Sequence, residues 1–390
     1  MQLILNENSC RPVISASAMI FFPVLLQLRF TTFATSVSFQ NQNIGLVWGR
    51  NSAVLIQDDP TRREPSLRFF CSQKHLNNIF IPAIASFCTD EGQLNLSLPH
   101  HCFGSTSKNS RRLDCRNVGK DIKYCQKLGK QVWLTVENLS QSSMMENDSD
   151  GERVANGILD TFFSEGDGPL GDVTFDGINF SLRDTCNGYS KLISVLHRKL
   201  TSSNTNVGFA VTVQCLFPDG YAGPRFAGTI LEEQAHLIDL LIVEIFGSGA
   251  TCHYLRPESF WRSMERWLSW STIPVMISIT PAPYYGLPGD YIDKRTICSD
   301  QVVEKIIGKG ASGIVIADAS YDVLQEDQES YSLAIAKMMM RGQRKEIIIP
   351  PKSVISDKKV SPLALQFNCG NRSSNTAFGQ TFLLLIWLVL

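Results

Sequence analysis

The stretch FDGINFSLRD, Phe175 to Asp184, puts Asn179, Ser181 and Arg183 on alternate residues of an apolar run. On a strand those three share one face. Carboxylates in such places could divide the work of proton donor and charge stabiliser, because proximity pushes their pKa values apart. An amide, a hydroxyl and a guanidinium stand there instead. Asn179 and Ser181 can hydrogen-bond but carry no charge. Arg183 stays protonated at any useful pH, so it cannot hand over a proton and take one back. Two acids, Glu137 and Glu244, close other apolar runs. Three roles stay open for them: acid and base of a hydrolase, ligand contacts, or partners of Arg183 in an ion network that fills the cavity.

Eight apolar runs of strand length must position these groups: Ile44 to Trp48, Asn78 to Phe87, Gln131 to Val136, Gly177 to Leu182, Gly208 to Cys215, Leu237 to Phe246, Pro274 to Ile279 and Gly313 to Ala317. Between them lie stretches with apolar spacings of three and four, such as Ile193, Val195, Leu196 and Leu200, or Val302, Val303, Ile306 and Ile307. Eight strand–helix units over roughly 300 residues suit a closed parallel barrel, the (β/α)8 class of α/β fold, in which catalytic groups sit at the C-terminal ends of the strands. A doubly wound open sheet is the alternative, and periodicity alone does not separate the two. Trp261, Trp267 and Trp270 fall on one helical stretch and are expected to pack rather than bind.

Hydrophobic residues make up 44% of the chain and charged residues 19%, enough apolar material for a sizeable core. Lys plus Arg number 36 and Asp plus Glu 37, so no global field steers the protein onto nucleic acid. Eleven cysteines without a CxxC pair point to an oxidising compartment rather than a metal site. Residues 1–36, with the apolar run Val13 to Leu28, read as a signal peptide, an uncleaved anchor being the alternative. Residues 343–376 read as a polar stalk. The tail 377–390, ending FLLLIWLVL, is too short to span a bilayer and reads as a glycolipid-anchor signal, or else as a buried core segment. The sequons at Asn95, Asn138, Asn147 and Asn371 fit a secreted glycoprotein, whereas the one at Asn179 lies inside a strand and is expected to stay bare.

FDGINFSLRD resembles the DGxDxDxE signature of family 18 glycoside hydrolases, in altered form. GLVWGRN (45–51), DIKYCQKLGKQVWLTV (121–136), VQCLFPD (213–219) and SGIVIADAS (312–320) are similar, in the same order, to segments of the short fungal and plant class III chitinases. The resemblance runs from about Asn43 to Arg341 and implies the (β/α)8 barrel over residues 37–342. It also implies the disulfides Cys71–Cys125, Cys102–Cys115 and Cys215–Cys252, leaving Cys88, Cys186, Cys298 and Cys369 unassigned.

Chemistry in that family is substrate-assisted, with a Glu ending the motif as general acid. Here the resemblance keeps Asp176 at the first motif position and replaces the rest with Asn179, Ser181 and Arg183; Asp176 and Arg183 are expected to share the cavity. It also implies that a supporting tyrosine is replaced by Phe246 and an aromatic floor by Ala317. Trp48 retains a family aromatic, and Tyr284 and Tyr285 follow the seventh strand where a sugar could stack. The expectation is a secreted or cell-surface, chitinase-like protein without chitinase activity, needing no cofactor or metal. Its partners would be a chitin-like carbohydrate, no nucleic acid, and the membrane only through a lipid anchor; it would be a monomer. A protein-binding scaffold or glycosidase inhibitor, and a residual or altered glycosidase, are the alternatives.

Overall fold

The structure, a computed structural model, describes residues 43–57, 60–88, 93–104, 113–137, 145, 147–164, 168–183, 188–203, 205–245, 252, 254–270, 272–281, 291–323 and 329–346. The terminal segments 1–36 and 347–390, with Tyr284, Tyr285, Phe246, Asn138, Asn371, Cys186 and Cys369, lie outside the described residues.

Eight parallel strands close into a barrel: β1 Asn43–Val47, β2 Asn78–Cys88, β3 Gln131–Glu137, β4 Gly177–Ser181, β5 Gly208–Gln214, β6 Leu240–Glu244, β7 Val275–Ile279 and β8 Gly313–Ile316. Closure comes from β1, where Leu46 lies opposite Ile316 of β8 on one side and Ile79 of β2 on the other. The open-sheet alternative is thereby excluded. A further strand, Gln93–Leu96, folds back antiparallel on the end of β2. Helices follow the strands, among them α1 Leu67–Cys71, α2 Arg116–Lys127, α3 Asp148–Phe162, α4 Tyr189–Ser202, α5 Ile230–Glu233, α6 Pro257–Trp270, α7 Val302–Gly308 and α8 Tyr331–Glu346. The last of these, α8, runs on through Glu346, and no proline interrupts the chain until Pro350.

The strands read as continuous apolar runs because both faces are covered. Outward side chains such as Ile79, Leu134, Phe180, Val211, Val243, Ile277 and Ile314 pack under the helices. Inward, Phe80, Trp133, Ala210, Leu240, Ile242, Met276 and Val315 form a separate plug. Trp133 takes its place there because two neighbouring strands offer glycine: a Cβ at Gly177 would sit 2.1 Å from the indole, and one at Gly208 2.9 Å. Trp267 of α6 is fully buried, its Nε1 donating to the Cys215 carbonyl at 3.1 Å and its ring edge-on to Phe217. It is a packing residue.

At the N-terminal rim a polar contact recurs on every second strand. The residue before each even strand, Asn77, Asp176 or Asp239, accepts the backbone N–H of the second residue of the preceding odd strand: Ile44 at 3.0 Å, Val132 at 2.8 Å and Phe209 at 2.8 Å. Before β8, Ser312 instead donates its hydroxyl to the Val275 carbonyl at 2.9 Å. Satisfying these strand-end groups fixes where each strand begins. It explains why β6 starts at Leu240 rather than at Leu237: a 3-10 turn, Ala235–Leu237, and then Asp239 come first.

Three disulfides join Cys71 to Cys125, Cys102 to Cys115 and Cys215 to Cys252, with Cα separations of 5.1, 4.7 and 5.7 Å. The first ties α1 to α2. Cys298 is a free, exposed thiol.

Candidate functional site

The inward face changes character from floor to mouth. Above the Trp133 plug, Asn179 is buried between two threonines: its Nδ2 donates to Thr135 Oγ1 at 3.3 Å, and its Oδ1 accepts from Thr212 Oγ1 at 2.9 Å. Ser278 of β7 is buried on the same inward face. One step further up, Glu137 lies in register with Ser181, and Glu244 with Gln214 and Ser278. The barrel is thus apolar below, neutral and polar in the middle, and charged at the C-terminal mouth.

Among the described residues two ion pairs make up that charge. Arg183 pairs with Glu244, and Arg50, just after β1, pairs with Glu137. The geometry splits the expectation that both glutamates turn to Arg183, because Arg50 arrives from the first strand loop and takes Glu137. Both carboxylates are deep, with side chains 8% and 5% exposed, while their guanidiniums are 31% and 24% exposed. Each carboxylate is held against a permanently charged guanidinium.

Other expected residues move. Asp176 is not in the mouth: with about 3.3 Å of rise per residue, the seven steps to Arg183 carry the chain from one end of the barrel to the other. Its Oδ2 accepts from the Val132 N–H and from Gln126 Nε2 at 3.1 Å, the rim contact described above. Trp48, expected as a sugar-stacking aromatic, is 1% exposed. Its Nε1 donates to the Pro65 carbonyl at 3.0 Å and His101 covers its ring at a centroid distance of 4.2 Å, so no face is left for a ligand. Ala317 is buried at the end of β8.

The sequence reading passed over a cluster beside Trp48. Glu64 Oε1 accepts the Gly49 N–H at 2.8 Å and meets His101 Nε2 at 2.7 Å. Asn51 decides where the proton lies. Its Oδ1 accepts the Glu64 N–H at 2.8 Å and its Nδ2 donates to the Pro99 carbonyl at 2.7 Å, so the amide cannot turn over. Nδ2 therefore directs its second hydrogen at His101 Nε2, 2.8 Å away, and that nitrogen must be an acceptor. The proton between His101 and Glu64 then belongs to the carboxyl, and the contact is a neutral hydrogen bond. The environment agrees: burial, then the nearby Asp318 charge, pushes the Glu64 carboxyl well up, and burial, with His100 and Arg63, holds His101 down at about 4. The Glu64 side chain has no solvent exposure, so this acid does not reach a ligand in the mouth. Only the WGRN run hinted at the cluster, since Asn51 and Glu64 stand too far apart to form a local motif.

Among the described residues no group of three His, Cys, Asp or Glu is placed to hold a metal ion, and no helix is long and apolar enough to cross a membrane.

No family model matches the chain. The endochitinase of Saccharomyces cerevisiae is 25% identical over 294 residues, which cover 72% of this chain and 47% of that protein. The chain spans about half the length of this and a similar Candida albicans chitinase. Among solved structures, a chitinase from Ipomoea carnea matches with a TM-score of 0.59 and 26% identity over 76% of this chain and 99% of that one. A tamarind chitinase-like lectin (TM-score 0.57, 22% identity, 75% and 99% coverage) and a xylanase and alpha-amylase inhibitor protein from Scadoxus multiflorus (0.60, 17%, 76% and 98%) share the fold. The chain is thus similar in sequence to fungal and plant chitinases and shares the barrel of the chitinase-like structures it matches.

Proposed function

We propose that this chain is a secreted or cell-surface protein that binds a glycan at the barrel mouth and does not hydrolyse it. The observation that carries the reading is Arg183: where the resemblance calls for a protonated Glu, a guanidinium stands, locked to Glu244. General acid catalysis contributes about 10² to 10⁴ in rate, and an always-protonated group cannot supply it. Asn179, held between two threonines, carries no charge to steady a cationic intermediate. Three disulfides and fungal chitinase relatives support an extracellular or cell-wall setting. The anchor signal read in 377–390 would tether it there. Exposed Asn95 and Asn147 suit glycan attachment.

The experiment is a glycan-binding screen on the secreted protein beside a hydrolysis assay on chitooligosaccharides. Binding without release of reducing ends is expected. Turnover by protein shown to be free of contaminating chitinase would overturn the reading and make Glu137 and Glu244 the residues to mutate. A second reading, a protein-binding scaffold or glycosidase inhibitor, is favoured by Leu216, Tyr221 and Phe226, all exposed in the segment after β5. Capture of a purified glycosidase by the protein, with no glycan bound, would decide for it.

A further inference from the structure

The charge arrangement at the mouth says more about the ligand than the fold does. Resting on the reading of the mouth as a glycan site, we propose that its ligand is an anionic glycan, one carrying uronate carboxylates, recognised by Arg183 and Arg50.

The two ion pairs are oriented alike. In each, the carboxylate is the deep partner and the guanidinium the exposed one, at 31% against 8% and 24% against 5%. Two neutral pairs with their positive ends toward solvent present a cationic face even though their formal charge sums to zero. Glu64 adds no negative charge there, being protonated, and the carboxylate of Asp318 is buried, taking the Ser52 and Ser320 N–H groups. A guanidinium has five N–H donors in a planar fork, of which one carboxylate engages at most two, so Arg183 can bridge Glu244 and a second planar carboxylate. A neutral sugar would cover both pairs and strip them of water without offering charge in return. A uronate returns it. Beneath the arginines, the hydroxyls of Thr135, Thr212 and Ser278 and the amide of Asn179 are neutral, the chemistry that meets sugar hydroxyls.

The test measures binding of the full secreted chain to four probes by calorimetry: oligogalacturonate, N-acetylchitooligosaccharide, chitosan oligomer and dextran sulfate. Oligogalacturonate should bind at least about tenfold more tightly than the neutral oligomer and weaken as salt rises from about 0.05 to 0.5 M, with chitosan weakest. Since Arg183→Gln alone strands a buried Glu244, the informative variant is Arg183→Gln with Glu244→Gln, which removes both charges. It should lose about tenfold or more for oligogalacturonate with its unfolding midpoint measured in parallel. Arg183→Lys keeps the charge but not the fork and should fall in between. Arg116→Gln, an exposed arginine paired to Asp114, should change nothing.

Equal or tighter binding of the neutral oligomer overturns the proposal and leaves the glycan reading standing. So does oligogalacturonate binding that ignores the double substitution. Dextran sulfate binding more tightly than oligogalacturonate overturns the choice of carboxylate. If no probe binds, both readings fall.

Discussion

Glu64→Gln turns the proton assignment beside Trp48 into a measurement. If Glu64 is a neutral acid in the fold, the unfolded chain releases that proton above the ordinary glutamate pKa of about 4.5 while the folded chain keeps it. A raised folded pKa in an acid means stability that is full at low pH and is lost as pH rises, about 1.4 kcal/mol per pH unit, until the folded pKa is reached. Wild type should therefore lose about that much relative to Glu64→Gln between pH 5 and 6. For a barrel of roughly 300 residues that is about 2 °C in Tm. His101 works in the opposite sense. Its folded pKa of about 4 lies below the ordinary 6.5, so its contribution is full above 6.5 and is lost as pH falls toward 4. The whole interval corresponds to at most about 3 kcal/mol, less the screening of a ring that is partly exposed. Between pH 4.5 and 6.5 the two slopes cancel in wild type, and each single substitution should uncover the other's. The assay is a series of urea midpoints from pH 4 to 7.5 for wild type, Glu64→Gln and His101→Gln. A neutral pair and an ion pair hold the same single proton, so the midpoints report the pair's joint count and the infrared difference between wild type and Glu64→Gln places it; a midpoint difference independent of pH, or carboxylate bands without a protonated carboxyl band, would refute the assignment.

Three further outcomes follow from the same contacts. A double-mutant cycle with Arg183→Met and Glu244→Gln should show a coupling of about 2 kcal/mol, between the values of exposed and buried pairs, in thermal unfolding. Asp176→Ala should cost about 1 to 3 kcal/mol in urea unfolding by orphaning the Val132 N–H, and leave glycan affinity unchanged, since it sits at the far end of the barrel. Replacing Cys71 and Cys125 together by Ala opens a loop with a sequence separation of 54 and should lower stability by about 4 kcal/mol under the chain-entropy account, read from the denaturant midpoint.

The fold was legible because strands buried on both faces announce themselves as apolar runs, and all eight stand within a few residues of where the periodicity put them. What blurred their ends was side-chain bonding. Leu237 and Ile238 are as apolar as the strand they precede, and only the acceptor of Asp239 on the Phe209 N–H marks where β6 begins. Asp176 shows the opposite failure. A motif position is one-dimensional, and an aspartate seven residues from Arg183 reads as its neighbour until the rise of an extended chain separates them by the height of the barrel. The pairing of Arg50 with Glu137 joins residues 87 apart in sequence across the barrel, and nothing local forecasts it.

On the reading that Arg183 stands in place of a glutamic acid, the mouth holds the groups that would let such a site change its chemistry without losing its barrel. Such an exchange beside a buried carboxylate strands a charge at a cost of several kcal/mol unless a partner is at hand. Here Glu244 stands on β6, two strands away, where its carboxylate meets Arg183, and Asn179 bridges the hydroxyls of Thr135 and Thr212. Those compensations bear on reversion. Arg183→Glu alone would set a carboxylate beside the buried Glu244, and like charges at that distance raise one pKa and weaken the fold rather than restore an acid poised for proton transfer. Loss of stability without hydrolysis of chitooligosaccharide is the expected result of that single change. Reverting Asn179, Ser181 and Arg183 to Asp, Asp and Glu also requires Glu244 to lose its charge, so the first combination to assay carries Glu244→Gln with the three.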